Sequence, residues 1–284
     1  MSTIDFGQIV QMVSSRPSGV AFRRFVRGRV AWSDLEAVCR EVAARYDRSV
    51  ARVEFLDADN WLSTPCVVGD QWFVKIISPQ NALVHDVFTT GRNLGMFSSG
   101  TEGFFERFEN PLAMAEHELA ATRRIREIGL KAPEPIEAFR HDEFGVLVLE
   151  YLPDFRTVED LAPSETRRFA PVFFDALARL HAAGLGHGDI RAENVLVMDG
   201  EPYFIDATSL RESRAADARA YDLACALGVL ERKIGAREAV DVAMADYTIE
   251  DLLAAREFVD FINIRPDLDF DGALLRAEIE KRAA

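Results

Sequence analysis

The residues best suited to do chemistry lie in one segment, His187 to Ala207, which reads HGDIRAENVLVMDGEPYFIDA. Two apolar runs within it, Val195 to Met198 and Pro202 to Ile205, are separated by Asp199-Gly200. An Asp-Gly pair between two apolar runs is typical of a two-residue hairpin turn. The segment therefore predicts a β-hairpin with polar residues at its open end.

The hairpin register brings together an amide and two carboxylates. A turn at Asp199-Gly200 sets Asn194 opposite Ile205 and beside Asp206, while Asp189 lies on the loop that leads to the same end. An oxygen-only cluster of this kind suits Mg²⁺, which binds carboxylates together with water and substrate phosphates. Taken singly, polar residues at strand ends are also common as turn formers and caps.

The order of these features resembles a known family. The pattern H-G-D-x-x-x-x-N, then a hairpin, then I-D, resembles the catalytic loop and metal-binding segment of the protein-kinase-like superfamily, in the form used by RIO-type kinases and aminoglycoside-type small-molecule kinases. The resemblance implies that Asp189 orients and deprotonates the acceptor hydroxyl and that Asn194 and Asp206 hold Mg²⁺ on the nucleotide phosphates. It also places Arg191 near the transferring phosphoryl group, although a solvated loop arginine is the alternative.

Other parts of the superfamily pattern appear in the same order along the chain. Trp72 to Ile77 reads as a buried strand that contains Lys75, one of only four lysines in the sequence. It resembles the third-strand lysine that contacts the α- and β-phosphates, against the alternative of a surface lysine. The implied partner is a helix glutamate, for which Glu118 matches best and Glu116 second best; either could instead be a solvated helix residue.

Two further segments resemble the hinge and the helix that supports the catalytic loop. Gly145 to Pro153 resembles the hinge strand, with Leu149 as gatekeeper and the backbone from Glu150 to Leu152 binding adenine. In RAYDLACAL, Asp222 matches the aspartate that braces the catalytic loop by hydrogen bonds.

The nucleotide loop departs from the family pattern. Between Asp57 and Lys75 the only glycine is Gly69, at a turn, so Ser63 and Thr64 are the candidate phosphate donors in place of a glycine cradle. The segment after the hairpin departs too, because D-A-T replaces D-F-G and little sequence separates it from the bracing aspartate. This shortness resembles RIO-like and small-molecule kinases more than conventional protein kinases.

The elements that must position these residues follow from hydrophobic periodicity. Residues 4 to 46 read as helical with a break at RPSG, and Ser33 is a candidate N-cap for the second helix. Short strands come next, then a long flexible loop from 78 to 110, which resembles the flexible loop of RIO-like kinases. Further helices are predicted at Pro111 to Ile128, at Ser164 to Ala183 and from Ala215 onward.

This pattern predicts an α+β, two-lobed, protein-kinase-like fold, with a small antiparallel-sheet N-lobe and a mainly helical C-lobe. The predicted divisions are an N-terminal helical segment at 1–50, an N-lobe at 51–152 and a C-lobe at 153–284.

Composition limits the classes of partner. The net charge of −14 argues against a surface that binds nucleic acid or anionic lipid as a whole. The segment from Arg16 to Arg29 carries five arginines and could contact RNA or another acidic partner, or pair with the acidic body of the same protein. Many acids with few lysines suggest a high-salt cytoplasm, or a GC-rich genome. Three scattered cysteines and the lack of a membrane-length apolar stretch favour a cytoplasmic protein without disulfides.

The leading hypothesis is an ATP- and Mg²⁺-dependent phosphotransferase of the RIO-like serine/threonine kinase type, acting on a protein or other hydroxyl acceptor or hydrolysing ATP. The alternatives are a small-molecule kinase acting on a sugar or aminoglycoside, and a nucleotide-binding pseudokinase scaffold.

Overall fold

The structure is a computed structural model that describes residues 30–47, 52–56, 63–83, 85, 89, 108–207, 215–263, 265 and 268–284. The described chain divides into two compact units. The first contains residues up to 89, 108–120 and 134–152, and the second contains 121–133 and everything after residue 152. The Arg16 to Arg29 segment and its predicted helix lie outside the described residues.

The first unit is built on a five-stranded antiparallel sheet. Its strand order is β1-β2-β3-β5-β4. The turn between β2 and β3 has three residues between the paired Val68 and Trp72, and two of them, Gly69 and Asp70, have positive φ. The strands are β1 (Val53–Phe55), β2 (Thr64–Val68), β3 (Trp72–Ile77), β4 (Pro135–His141) and β5 (Phe144–Glu150).

Helix α1 (Trp32–Arg45) packs on one face of this sheet. Its apolar stripe of Leu35, Val38 and Val42 is buried in the same core as the side chains of the central strands. The predicted separate N-terminal segment at 1–50 is therefore wrong for this helix, because α1 completes the core of the first unit. The Ser33 N-cap is also wrong: the helix begins at Trp32 after Ala31, and the Ser33 hydroxyl bonds to Asp34 instead.

Helix α2 (Pro111–Glu127) covers the opposite face of the sheet with its first turns. Met114, Ala115 and Leu119 are buried with apolar side chains of β3 and β5. The closest backbone approach is at Gly145, where a Cβ atom would lie 2.1 Å from the carbonyl oxygen of Pro111. The β5 position facing the start of α2 therefore requires glycine.

The predicted loop at 78–110 begins instead with helix. Residues 79–83 are helical, and the Ser78 hydroxyl accepts from the Asn81 amide while the Asn81 side chain accepts from Ser78. These reciprocal bonds satisfy the first amides of a helix, as a cap does. The prediction missed this cap because Ser and Asn were read as loop residues.

The second unit is mainly helical and has one large core. Helix α3 (Pro163–Ala182) buries the predicted stripe of Phe169, Phe173, Leu177 and Leu180. The remaining elements are β6 (Arg156–Thr157), a 3-10 helix (Val158–Asp160), β7 (Val195–Met198), β8 (Glu201–Phe204), α4 (Ala215–Ile234), α5 (Ala236–Ala243), α6 (Ile249–Arg256), α7 (Val259–Asn263) and α8 (Gly272–Ala283). Strands β6, β7 and β8 form a small antiparallel sheet.

The predicted α+β class is confirmed by these two units. None of the helices in the described ranges is long and apolar enough to cross a membrane.

We predict that Gly145→Ala lowers the free energy of unfolding by about 1–3 kcal/mol, because the added methyl group forces backbone apart at Pro111. Urea unfolding followed by circular dichroism measures the change. The control is Gly200→Ala, where φ is 80° but no atom lies within 4 Å of the added Cβ. A stability loss for Gly145→Ala no larger than that of the control would contradict the packing argument.

Candidate active site

The catalytic-loop candidates lie between α3 and the β7–β8 hairpin. The hairpin pairs Val195 with Phe204, and the Ile205 amide donates to the carbonyl oxygen of Asn194 at 3.1 Å. The predicted register, with Asn194 opposite Ile205, is therefore confirmed. Asp206 follows directly and has a positive φ of 59°, which turns the chain away from the strand.

The structure brings Asp189, Arg191 and Asn194 together. The Asn194 amide nitrogen donates to Oδ2 of Asp189 at 3.1 Å and to its backbone oxygen at 2.9 Å. Arg191 Nε lies 3.1 Å from the same Oδ2 atom. The arginine is thus an ion-pair partner of Asp189 and not a solvated loop residue.

A second arginine contacts Asp189 from the far end of the chain. Arg265 Nη2 donates to Oδ1 of Asp189 at 3.0 Å, and Nη1 donates to the Tyr221 hydroxyl at 2.6 Å. Sequence reasoning missed Arg265, because it follows α7 and belongs to no motif. The sequence prediction treated everything from Ala215 onward as helical, so nothing marked this position.

Asp222 braces the loop, as the family pattern implied. Its carboxylate is fully buried and accepts from the backbone amides of His187 at 2.5 Å and Gly188 at 2.8 Å. Gly188 has a φ of 81°, a conformation that favours glycine and explains the G of H-G-D. Charge-assisted bonds to backbone amides are among the stronger hydrogen bonds, so they fix the backbone of the loop just before Asp189.

The brace continues through two side chains toward the helical core. His181 Nε2 lies 3.4 Å from Oδ2 of Asp222, and the Tyr247 hydroxyl lies 2.9 Å from His181 Nδ1. Burial raises the pKa of Tyr247, and the nearby carboxylate of Asp222 raises it further. Tyr247 therefore stays protonated, so that its hydroxyl can donate to an unprotonated Nδ1 of His181.

His187 is fully buried beside the loop that it opens. Burial lowers the pKa of its imidazole, and the nearby carboxylates of Asp222, Asp189 and Asp206 offset this only in part. Nδ1 of His187 accepts from the Asp189 amide at 3.3 Å, which requires that nitrogen to be unprotonated. The ring therefore serves as a neutral packing and hydrogen-bonding group.

The first unit holds its own charged pair. Lys75 in β3 and Glu118 in α2 form an ion pair with Nζ and Oε1 2.6 Å apart, and only 5% and 17% of the two side chains are exposed. The alternative of a surface lysine is therefore wrong. Glu116, the second choice for the partner, is exposed.

The candidate phosphate donors lie at the start of β2. Ser63 is buried, and its hydroxyl has no hydrogen-bond partner among the described residues. Thr64 is partly buried and is the first residue of β2, paired with Ile76. A buried hydroxyl without a partner is costly, which favours a ligand at Ser63.

The predicted hinge uses most of its amides internally. The Glu150 amide donates to the Glu134 carbonyl and the Tyr151 amide to the Gln71 carbonyl, each at 2.9 Å. These two amides therefore have partners within the first unit. Adenine contact through the backbone of Glu150 to Leu152 stays a prediction, and Leu152 is buried.

The predicted ligands for Mg²⁺ are Asn194 and Asp206. Among the described residues, no three His, Cys, Asp or Glu side chains cluster as a metal site. Asn194 and Asp206 offer one amide oxygen and one carboxylate, which are the hard donors that Mg²⁺ prefers when phosphates and water complete its shell. The residues fit a magnesium ion that arrives with a nucleotide.

Comparison with known proteins finds similarity over one segment of the chain. Residues 106–242 match the family model described as the RIO domain. Over 101 residues the chain is 36% identical to the RIO-type serine/threonine-protein kinase Rio1 of Haloferax volcanii. This segment is similar to RIO domains and is called the RIO-like segment below. The resemblance read from the motifs is confirmed, and the RIO-like segment contains Glu118, the candidate catalytic loop and Asp222.

A second curated relative matches the RIO-like segment. The KEOPS complex subunit Bud32 of Pyrococcus abyssi is 28% identical over 104 residues. These alignments cover 36% of this chain for Bud32 and 33% for Rio1. The chain spans less than half the length of either relative, 46% of Bud32 and 32% of Rio1.

Two solved structures with lower sequence identity align with most of the chain. The Rio2 kinase–ADP/Mg²⁺–phosphoaspartate complex of Chaetomium thermophilum has a TM-score of 0.47 at 17% identity, covering 90% of this chain and 78% of that one. An aminoglycoside-3'-phosphotransferase of type VIII has a TM-score of 0.48 at 16% identity, covering 80% and 99%.

We predict that the stability of the protein falls as pH drops below 6.5 because His187 resists protonation. The pKa of His187 in the folded state lies below the unfolded value of 6.5. As pH falls, the unfolded chain therefore takes up the proton first and is stabilised relative to the folded chain. The slope approaches about 1.4 kcal/mol per pH unit between the two pKa values. Urea unfolding of wild type and His187→Gln between pH 5 and 7.5 measures it, and an unchanged slope in the variant would contradict the assignment.

Proposed function

We propose that this chain is an ATP- and Mg²⁺-dependent phosphotransferase of the RIO-type serine/threonine kinase class, transferring the γ-phosphate to a hydroxyl or hydrolysing ATP. The observation that carries the proposal is the braced cluster of Asp189, Arg191 and Asn194 on a loop held by Asp222. Phosphoryl transfer depends mainly on positioning and electrostatic stabilisation, and this cluster is built for both.

In this proposal, Asp189 binds the acceptor hydroxyl. Its carboxylate is 15% exposed and is held by donors on both oxygens, so its direction is set before a substrate arrives. A fixed carboxylate accepts the hydroxyl hydrogen bond and aligns the oxygen for attack. Arg191, on the same carboxylate, supplies positive charge beside the reacting groups.

In this proposal, Asn194 and Asp206 hold the Mg²⁺ ion. Asn194 is buried and donates its amide nitrogen to Asp189, which orients its oxygen away from that carboxylate. When bound, Mg²⁺ would neutralise charge on the phosphate oxygens of the nucleotide.

In this proposal, Lys75 of the first unit contacts the nucleotide phosphates. Lys75 is 4% exposed and pairs with Glu118, and a buried charge needs such a partner. Ser63 supports the same proposal through its buried hydroxyl, and Leu152 is the hinge position proposed for adenine. The basic segment from Arg16 to Arg29, the predicted contact for RNA or an acidic partner, lies outside the described residues.

We predict that Asp189→Asn reduces release or transfer of labelled γ-phosphate from ATP by about 10²–10⁴-fold, because proton acceptance from the hydroxyl is lost. Asp206→Ala should lose activity to a similar degree, because Mg²⁺ loses its carboxylate. The assay measures label on the protein, label on added small-molecule hydroxyl acceptors, and free phosphate.

The matched control is Asp199→Asn, in the exposed turn of the same hairpin, where asparagine tolerates the positive φ. Its activity should equal wild type. Full activity in Asp206→Ala would contradict the proposal, and label only on sugar or aminoglycoside acceptors would favour the small-molecule kinase. Binding of ATP without any turnover by wild type would favour the pseudokinase scaffold.

A further inference from the structure

We propose that Arg265 is a positioning residue for Asp189, so that the C-terminal helices beyond the RIO-like segment form part of the active site. The inference rests on the proposed function, because it assigns the residue that directs the acceptor-binding carboxylate. Arg265 lies after α7, outside residues 106–242 that match the RIO domain.

The Arg265 side chain bridges Asp189 and Tyr221. One terminal nitrogen donates to Oδ1 of Asp189 at 3.0 Å, and the other donates to the hydroxyl of Tyr221 at 2.6 Å. Cys225 Sγ lies 3.8 Å from the nitrogen that contacts Tyr221. Both residues lie on α4, the helix that also carries the bracing residue Asp222.

Burial makes this contact different from the arginine pairs on the surface. Only 14% of the Arg265 side chain and 15% of the Asp189 side chain are exposed, and Tyr221 is fully buried. Water screens such a pair far less than an exposed one, so its geometry has energetic weight. The pair of Arg256 with Glu280 is more exposed, at 33% and 53% of the two side chains.

The two anchors explain why an arginine is needed. The planar guanidinium has a rigid fork that can reach a carboxylate and a hydroxyl at once, whereas a lysine ammonium has a single point of charge on a flexible stem. Arg265 therefore fixes the rotation of the Asp189 carboxylate from the Oδ1 side, while Asn194 and Arg191 hold Oδ2. Small displacements of a reacting group can cost about 10²-fold in rate.

The experiment measures steady-state ATP turnover for wild type, Arg265→Gln, Arg265→Lys and the exposed control Arg256→Gln. We expect Arg265→Gln to lower kcat about 10–100-fold with the KM for ATP changed less than twofold, because the acceptor carboxylate and not the nucleotide loses its support. Arg265→Lys should keep an intermediate kcat, and Arg256→Gln should match wild type. Added guanidinium ion should raise the rate of Arg265→Gln and leave Arg256→Gln unchanged.

A double variant shows whether Arg265 acts through Asp189. Asp189→Asn and Asp189→Asn/Arg265→Gln should have equal residual rates, because the arginine has no effect once the carboxylate is gone. Wild-type kcat in Arg265→Gln, or a loss of rate in Arg265→Gln that is unchanged by guanidinium and repeated in the double variant, would overturn the proposal.

Two readouts separate this inference from folding and from the proposed function. If Arg265→Gln does not fold, Tyr221→Phe removes one anchor only and should lower kcat about twofold to tenfold with the KM for ATP unchanged; wild-type kcat there would overturn the bridge. If wild type itself shows no turnover, the proposed function fails. The contact is then judged by urea unfolding, where Arg265→Gln should shift the midpoint less in the Asp189→Asn background, and equal shifts would overturn it.

Discussion

The buried carboxylate of Asp222 is the constraint on which the second unit depends. A fully buried negative charge is costly unless donors surround it, and the amides of His187 and Gly188 supply the two shortest bonds. This requirement forces the loop into a turn that needs glycine at position 188. Asp189 is the next residue, so the direction in which its side chain leaves the backbone follows from a bond made inside the core. The His181 and Tyr247 contacts anchor the same carboxylate to the surrounding helices.

The first unit follows the same rule with a different pair. Lys75 sits on a central strand of a sheet that is covered by α1 on one face and by α2 on the other. A charge in that position survives because Glu118 lies 2.6 Å away. The close approach of Gly145 to Pro111 allows α2 to pack against the sheet, and this packing determines the position of Glu118. Backbone packing and charge pairing are therefore linked in both units.

Local patterns in the sequence predicted much of this arrangement. The Asp199-Gly200 turn set the register of Asn194, because turn chemistry acts between neighbours in sequence. The pairing of Lys75 with Glu118 and the bracing by Asp222 followed from the resemblance to a family. Arg265 could not be predicted, since its contact with Asp189 joins residues 76 positions apart without a motif. The placement of α1 on the sheet also depended on tertiary packing, which an amphipathic pattern does not specify.

Above all, we propose that Asn194 and Asp206 hold the Mg²⁺ of a bound nucleotide. Calorimetric titration of wild type and Asp206→Asn with a non-hydrolysable ATP analogue, with and without Mg²⁺, tests it most directly. The account predicts that Mg²⁺ strengthens binding to wild type at least tenfold and that Asp206→Asn loses this gain while binding the metal-free analogue equally well. An equal gain from Mg²⁺ in both proteins would contradict the account.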